Sequence, residues 1–125
     1  MQVLLDTHLF IWWLKDDSKM SKQARTMITS ADIVYVSSVS IWEAAIKIQL
    51  GKLNANIQDL VDSIENEGFV ELPLLAKHAA MVTELPKIHR DPFDRMLIAQ
   101  AIVEPLRLLT SDKILENYSE LVKIV

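Results

Sequence analysis

The chain has 125 residues, 50% of them hydrophobic, a formal net charge of −4 and no cysteine. That length fits a single domain spanning 1–125, large enough for a real core, and the missing thiols exclude disulfides, thiolate nucleophiles and zinc–thiolate sites. The acidic balance argues against coating nucleic acid through a broad positive surface. No signal-peptide pattern opens the sequence and no apolar run approaches bilayer length, so a soluble cytoplasmic protein with no membrane segment is expected. The mean hydropathy of +0.19 is high for a small monomer, which predicts that some apolar surface meets another chain.

Val3-Leu4-Leu5 reads as the opening strand, and Asp6-Thr7 as the start of a helix carrying Phe10 to Leu14. Residues 21 to 29 place Ala24, Met27 and Ile28 on one helical face, and Ile33 to Val36 form the second strand. Two helices follow, 41 to 50 and 56 to 66, with Gly51 and Gly68 as their stops. Phe69 to Leu72 is the third strand, Ala76 to Leu85 a helix halted before Pro86, and Phe93 to Ile102 a helix opened by Asp91-Pro92. Leu106 to Thr110 and Leu121 to Val125 complete the strands. The alternation predicts an α/β fold, a mostly parallel central sheet of about five strands flanked by helices, with a helical arm inserted after the second strand.

Asp6, Glu43, Asp94 and Asp112 each fall where a strand ends or a helix begins. In an open parallel sheet those points share one edge, where such folds bind ligands. Two carboxylates about 5 Å apart repel by roughly 3 kcal/mol at an effective dielectric of about 20, a conflict that a hard divalent cation removes. Each acid also has a local reading. Ser40-Ile41-Trp42-Glu43 matches a capping box, which alone favours capping for Glu43. Asp91 fits the N-cap before Pro92, with Asp94 favoured by the helix dipole, and Asp112 suits a short helical turn over Lys113 to Asn117. Capping leaves Asp6 unexplained, since it carries a charge to the lip of the core.

Lys87, His89, Arg90 and Arg95 make a basic rim around Asp91 and Asp94, and Lys47 follows Glu43 by one helical turn. Arg95, Arg90, His89 and Lys47 are therefore candidate phosphate contacts, with pairing to Asp91 or Asp94 as the local alternative for Arg95. Trp12, Trp13 and Trp42 lie on the helices nearest two of the acids, and packing is their default role. The scattered His8 and His78 read as structural or surface residues.

L-L-D-T-H-L-F-I-W-W-L, S-V-S-I-W-E-A-A-I-K-I-Q-L-G-K-L, H-R-D-P-F-D-R-M-L-I-A-Q-A and L-L-T-S-D, in that order, resemble the PIN-domain ribonucleases, specifically the VapC-type toxins of bacterial toxin–antitoxin pairs. The resemblance implies a PIN-like domain with Asp6, Glu43, Asp94 and Asp112 as catalytic and metal-binding acids. Thr7, Ser40 and Thr110 are the polar neighbours that steady them. It implies hydrolysis of RNA phosphodiester bonds with Mg²⁺ or Mn²⁺, by in-line attack leaving a 5′-phosphate and a 3′-hydroxyl, with one or two metals. It also implies a cognate antitoxin and homodimerisation. Two other readings stand beside it: a non-catalytic PIN-like binding subunit, and a Mg²⁺-binding phospho-acceptor receiver domain, which needs an acceptor Asp after the third strand where this chain has Pro73.

Overall fold

The computed structural model describes residues 1–125. Strands β1 (Gln2–Leu5), β2 (Ile33–Ser37), β3 (Val70–Leu72), β4 (Arg107–Thr110) and β5 (Val122–Ile124) form one sheet in the order β3-β2-β1-β4-β5. Every pairing is parallel. Around the sheet lie α1 (Thr7–Lys15), α2 (Lys22–Ser30), α3 (Ser38–Gln49), α4 (Ile57–Asn66), α5 (Ala76–Met81) and α6 (Pro92–Val103), with 3₁₀ turns at Val82–Glu84 and Lys113–Asn117.

Strand side chains alternate between two cores. Val3 and Leu5 face a cluster with Leu9, Phe10, Ala24, Ile28, Leu60 and Ile64. Leu4 and Leu108 face the opposite cluster with Leu97, Ile98, Ala101 and Leu115. Helices α1, α2 and α4 thus cover one face and α6 the other, which is why β1 reads as an unbroken aliphatic run rather than an alternating one. Each fully buried leucine contributes about 2 to 3 kcal/mol relative to exposure. Since β1 is the central strand, the residue just past its end is delivered to the middle of the sheet's C-terminal edge.

The expected strands and helices are present, with two revisions. A pair of α-helices joins not only β2 to β3 but also β1 to β2, and α5 and α6 join β3 to β4. The helical arm expected after the second strand is present as α3 and α4, and similar helix pairs fill the other two connections. The helix predicted from residue 41 begins at Ser38, with Ser37 as N-cap accepting from the Val39 N–H at 3.0 Å. Gly51 and Gly68 follow the ends of α3 and α4 at φ +73° and +75°. No atom lies within 4 Å of where a Cβ would stand, so backbone handedness rather than space calls for glycine there.

Candidate active site

Asp6 leaves the end of β1 and caps α1: its Oδ1 accepts from the Leu9 N–H at 2.8 Å. Capping, which the sequence reading held not to explain Asp6, is thus one of its roles. Its Oδ2 accepts from the Thr110 hydroxyl at 2.5 Å, across the β1–β4 pairing. Asp6 is only 4% exposed. Burial pushes its carboxyl up to about 6, opposed by the Thr110 and Leu9 hydrogen bonds and by His8, and aided by the charge of Asp94.

Asp94, in the first turn of α6, is likewise raised, first by burial and then by Asp91 and Glu43, against the hydrogen bond from His89. Crowding among the acids contributes, linking Asp6 to Asp94 and Asp94 to Glu43, but desolvation leads in both cases.

Glu43 is buried in the second turn of α3, and Lys47 Nζ donates to its Oε2 at 2.6 Å. The capping box expected from Ser40 does not form, because the helix starts earlier and Ser40 lies inside it. The Ser40 Oγ instead accepts from the Thr7 hydroxyl at 2.9 Å, tying α1 to α3. Glu43 is thereby free of a capping duty.

Asp112 is exposed and caps the 3₁₀ turn, its Oδ1 accepting from the Ile114 N–H at 3.2 Å. Its own N–H donates to Thr110 Oγ1 at 3.1 Å. One buried hydroxyl therefore links the backbone of Asp112 to the carboxylate of Asp6.

On the rim, His89 is a partner of Asp94, Nε2 to Oδ2 at 3.1 Å, and its Nδ1 lies 2.7 Å from the Tyr118 hydroxyl. Arg95 does not pair with Asp91 or Asp94; it donates to the Pro86 carbonyl at 2.8 Å and to the Tyr118 hydroxyl at 3.1 Å. Asp91 serves as the α6 N-cap. Tyr118 organises this rim and was missed by the sequence reading. No local pattern marks it, because its partners lie 23 and 29 residues away. The packing role expected of the tryptophans fails for Trp42, which is 55% exposed and meets Phe93 edge-on at 5.1 Å.

The donor set is all oxygen, which suits a hard divalent ion rather than zinc or copper. As they stand, the side chains form no group of three acids and imidazoles closed around one point. A Mg²⁺-like ion fits this arrangement because one or two carboxylates suffice and waters complete its shell.

A parallel α/β sheet with a buried acid just past the carboxyl end of its central strand puts that acid where open α/β folds bind their ligands. Residues 3–121 match the PIN domain model, and the chain belongs to that family. It is 29% identical over 122 residues to Ribonuclease VapC22 of Mycobacterium tuberculosis, covering 93% of this chain and 91% of that protein. The fold is shared with VapBC2 from Rickettsia felis, solved bound to a DNA fragment from its promoter, at TM-score 0.75 and 17% identity over 100% of this chain and 99% of that one. FitAcB from Neisseria gonorrhoeae has TM-score 0.62 and 19% identity over 92% of this chain and 90% of that one. No helix is long and apolar enough to cross a membrane.

Proposed function

We propose that this chain is a divalent-metal-dependent endoribonuclease, the toxin of a toxin–antitoxin pair, with Asp6, Glu43 and Asp94 as its central acids and Asp112 at their margin. The observation that carries the reading is the burial of Asp6 and Glu43, at 4% and 3% exposure, in electrostatic reach of Asp94. A fold bears that cost when the site has work to do. The named ribonuclease relative supports the chemistry.

The protein's own groups have distinct tasks. Thr110 and the Leu9 N–H hold the Asp6 carboxylate in one orientation. His89, itself fixed by Tyr118, does the same for Asp94. Lys47 neutralises Glu43 and is half-exposed, able to turn to a substrate phosphate once Glu43 takes another cation. Mg²⁺ or Mn²⁺, when bound, supplies water activation and stabilises charge on the scissile phosphate and leaving oxygen.

The partners are a cognate antitoxin, an RNA substrate and a second copy of the chain, in the cytoplasm. Trp42 beside Phe93, next to Asp94 on α6, is a suitable anchor for the antitoxin, and exposed Leu50, Leu74 and Leu75 favour assembly. The receiver reading fares poorly: β3 is an edge strand here, whereas that class orders its strands 2-1-3-4-5.

The test is cleavage of a long RNA with Mg²⁺ or Mn²⁺. Asp6→Asn and Glu43→Gln should each lower the rate by at least about 100-fold while the proteins stay folded. Full activity of Asp6→Asn would overturn the assignment, and an inert wild type with both metals would favour the binding-subunit reading.

A further inference from the structure

Two basic clefts flank the acids, and each is joined to them by a hydrogen bond. One, of about 450 Å³, is lined by Lys87, Ile88, His89, Arg90 and Arg95, and connects to Asp94 through His89. The other, of about 360 Å³, holds Lys15, Lys19, Lys47 and Lys52 around Trp12 and His8. It connects to the site twice, through Lys47 to Glu43 and through Thr7, the neighbour of Asp6. Seven of the chain's 13 lysines and arginines therefore line two clefts on a protein of net charge −4.

The second cleft is not accounted for by the acids or by the rim around Asp94. Lys47 is paired with Glu43, but Lys15, Lys19 and Lys52 have no ion-pair partner and repel one another, and the one carboxylate lining the cleft, Asp17, accepts from the Lys19 N–H at 2.9 Å. Trp12 adds a half-exposed indole, with His8 tilted against it at 6.0 Å and the Lys19 ammonium 5.9 Å from the ring centre. Cations that track a phosphate backbone, interleaved with an aromatic face, are the chemistry of single-stranded nucleic acid binding. The volume lies at the low end for a ligand pocket, and suits one unstacked nucleotide better than the body of a duplex.

We propose that this α1–α3 cleft is a substrate subsite for single-stranded RNA, in which Lys15, Lys19 and Lys52 bind phosphates beside the scissile one and Trp12 stacks the base. Lys19, an exposed side chain over the indole, moves off the ring to a phosphate as the base enters. The strand then runs from this cleft across the acids to the Arg90–Arg95 side. The inference rests on the ribonuclease reading but is tested by binding, so that the two fail separately.

The probe is a fluorescein-labelled ten-nucleotide single-stranded RNA, titrated into the intact Asp6→Asn chain by anisotropy over a series of salt concentrations. Adding Lys15→Ala, Lys19→Ala and Lys52→Ala should weaken binding by about 10-fold or more and flatten the log–log salt slope by about 2. Trp12→Leu should cost about 10-fold without changing the slope, and the same RNA annealed to its complement should bind more weakly than the single strand. Thermal melts confirm that each variant is folded; Trp12→Phe, which keeps a stacking face, stands in if Trp12→Leu is not. Unchanged affinity and slope in the triple variant, or equal binding of duplex and single strand, would overturn the subsite whether or not the wild type cleaves RNA.

Discussion

Asp6 sets the tension in this molecule. Its carboxyl is raised from 3.8 to about 6 by burial, so between those values the folded chain holds a proton that the unfolded chain has released. The Asp6 contribution to folding stability therefore falls as pH rises through about 4 to 6, by about 3 kcal/mol for a shift of about 2 units. Asp6→Asn keeps an acceptor for Leu9 and loses the titration. It should flatten that slope in denaturant unfolding and be more stable than the wild type at pH 8, while losing cleavage. Identical slopes in the two proteins would show that Asp6 is not the strained group. Glu104 runs the other way: a hydrogen bond from His78 holds it below the ordinary glutamate value, so its stabilisation is present above pH about 4.5 and is lost on acidification. His78 is fully buried, and its Nδ1 accepts from the Leu75 N–H at 3.0 Å. That bond directs Nε2 to donate to Glu104 at 2.5 Å. His78→Ala should cost about 3 kcal/mol in denaturant unfolding, from the cavity and the lost partners.

At the scale of elements, the misreading of α3 shows where a sequence stops being legible. Ser37, Ser38 and Ser40 offer three hydroxyls within four residues, and local pattern favours Ser40 because Glu43 follows it at capping-box spacing. The choice is made by a distant residue: the Ser37 Oγ donates to buried Gln100 Oε1 at 2.6 Å, 63 residues away. Ser37→Ala should therefore cost about 2 kcal/mol in thermal melts, a lost cap plus an unsatisfied amide; Ser40→Ala also destabilises, through the Thr7 hydroxyl it leaves unpaired, and only Ser37→Ala should speed hydrogen exchange at the Val39 amide. The strands were legible because three- to five-residue aliphatic runs need no partner to be recognised. The nearness of Asp6 to Asp94 was legible because topology brings strand ends and helix starts to one edge. The bonds that orient them were not, since Tyr118, just past the last 3₁₀ turn, reaches His89 and Arg95 only through the fold. Tyr118→Phe should lower cleavage by about 10-fold, since groups that orient ligating side chains are worth that much. A steady-state assay beside a melting curve separates this effect from unfolding.

For the whole molecule, the acid site is where stability has been given up, and a bound cation should return it. The cores on both faces of the sheet bury their aliphatic side chains fully, and every buried side-chain polar atom has a partner. The electrostatic cost of burial gathers at the sheet edge, where Asp6 and Asp94 are both disfavoured as anions. An ion that binds only the folded chain stabilises it by RT ln(1 + [ion]/Kd), about 2.7 kcal/mol at 100 times Kd. For a chain of 125 residues this should raise Tm by roughly 5 to 15 °C on adding saturating Mg²⁺ or Mn²⁺ at pH 8. The rise should shrink at pH 5, where protonated Asp6 competes with the ion, and be lost in Asp6→Asn. Lys47→Met should enlarge it, because the cation already seated on Glu43 no longer has to be displaced. Calorimetric scans of the three proteins with and without metal test the scheme together: a Tm indifferent to metal in the wild type, or equally responsive in Asp6→Asn, would separate the strained acids from the metal and leave their burial without a function.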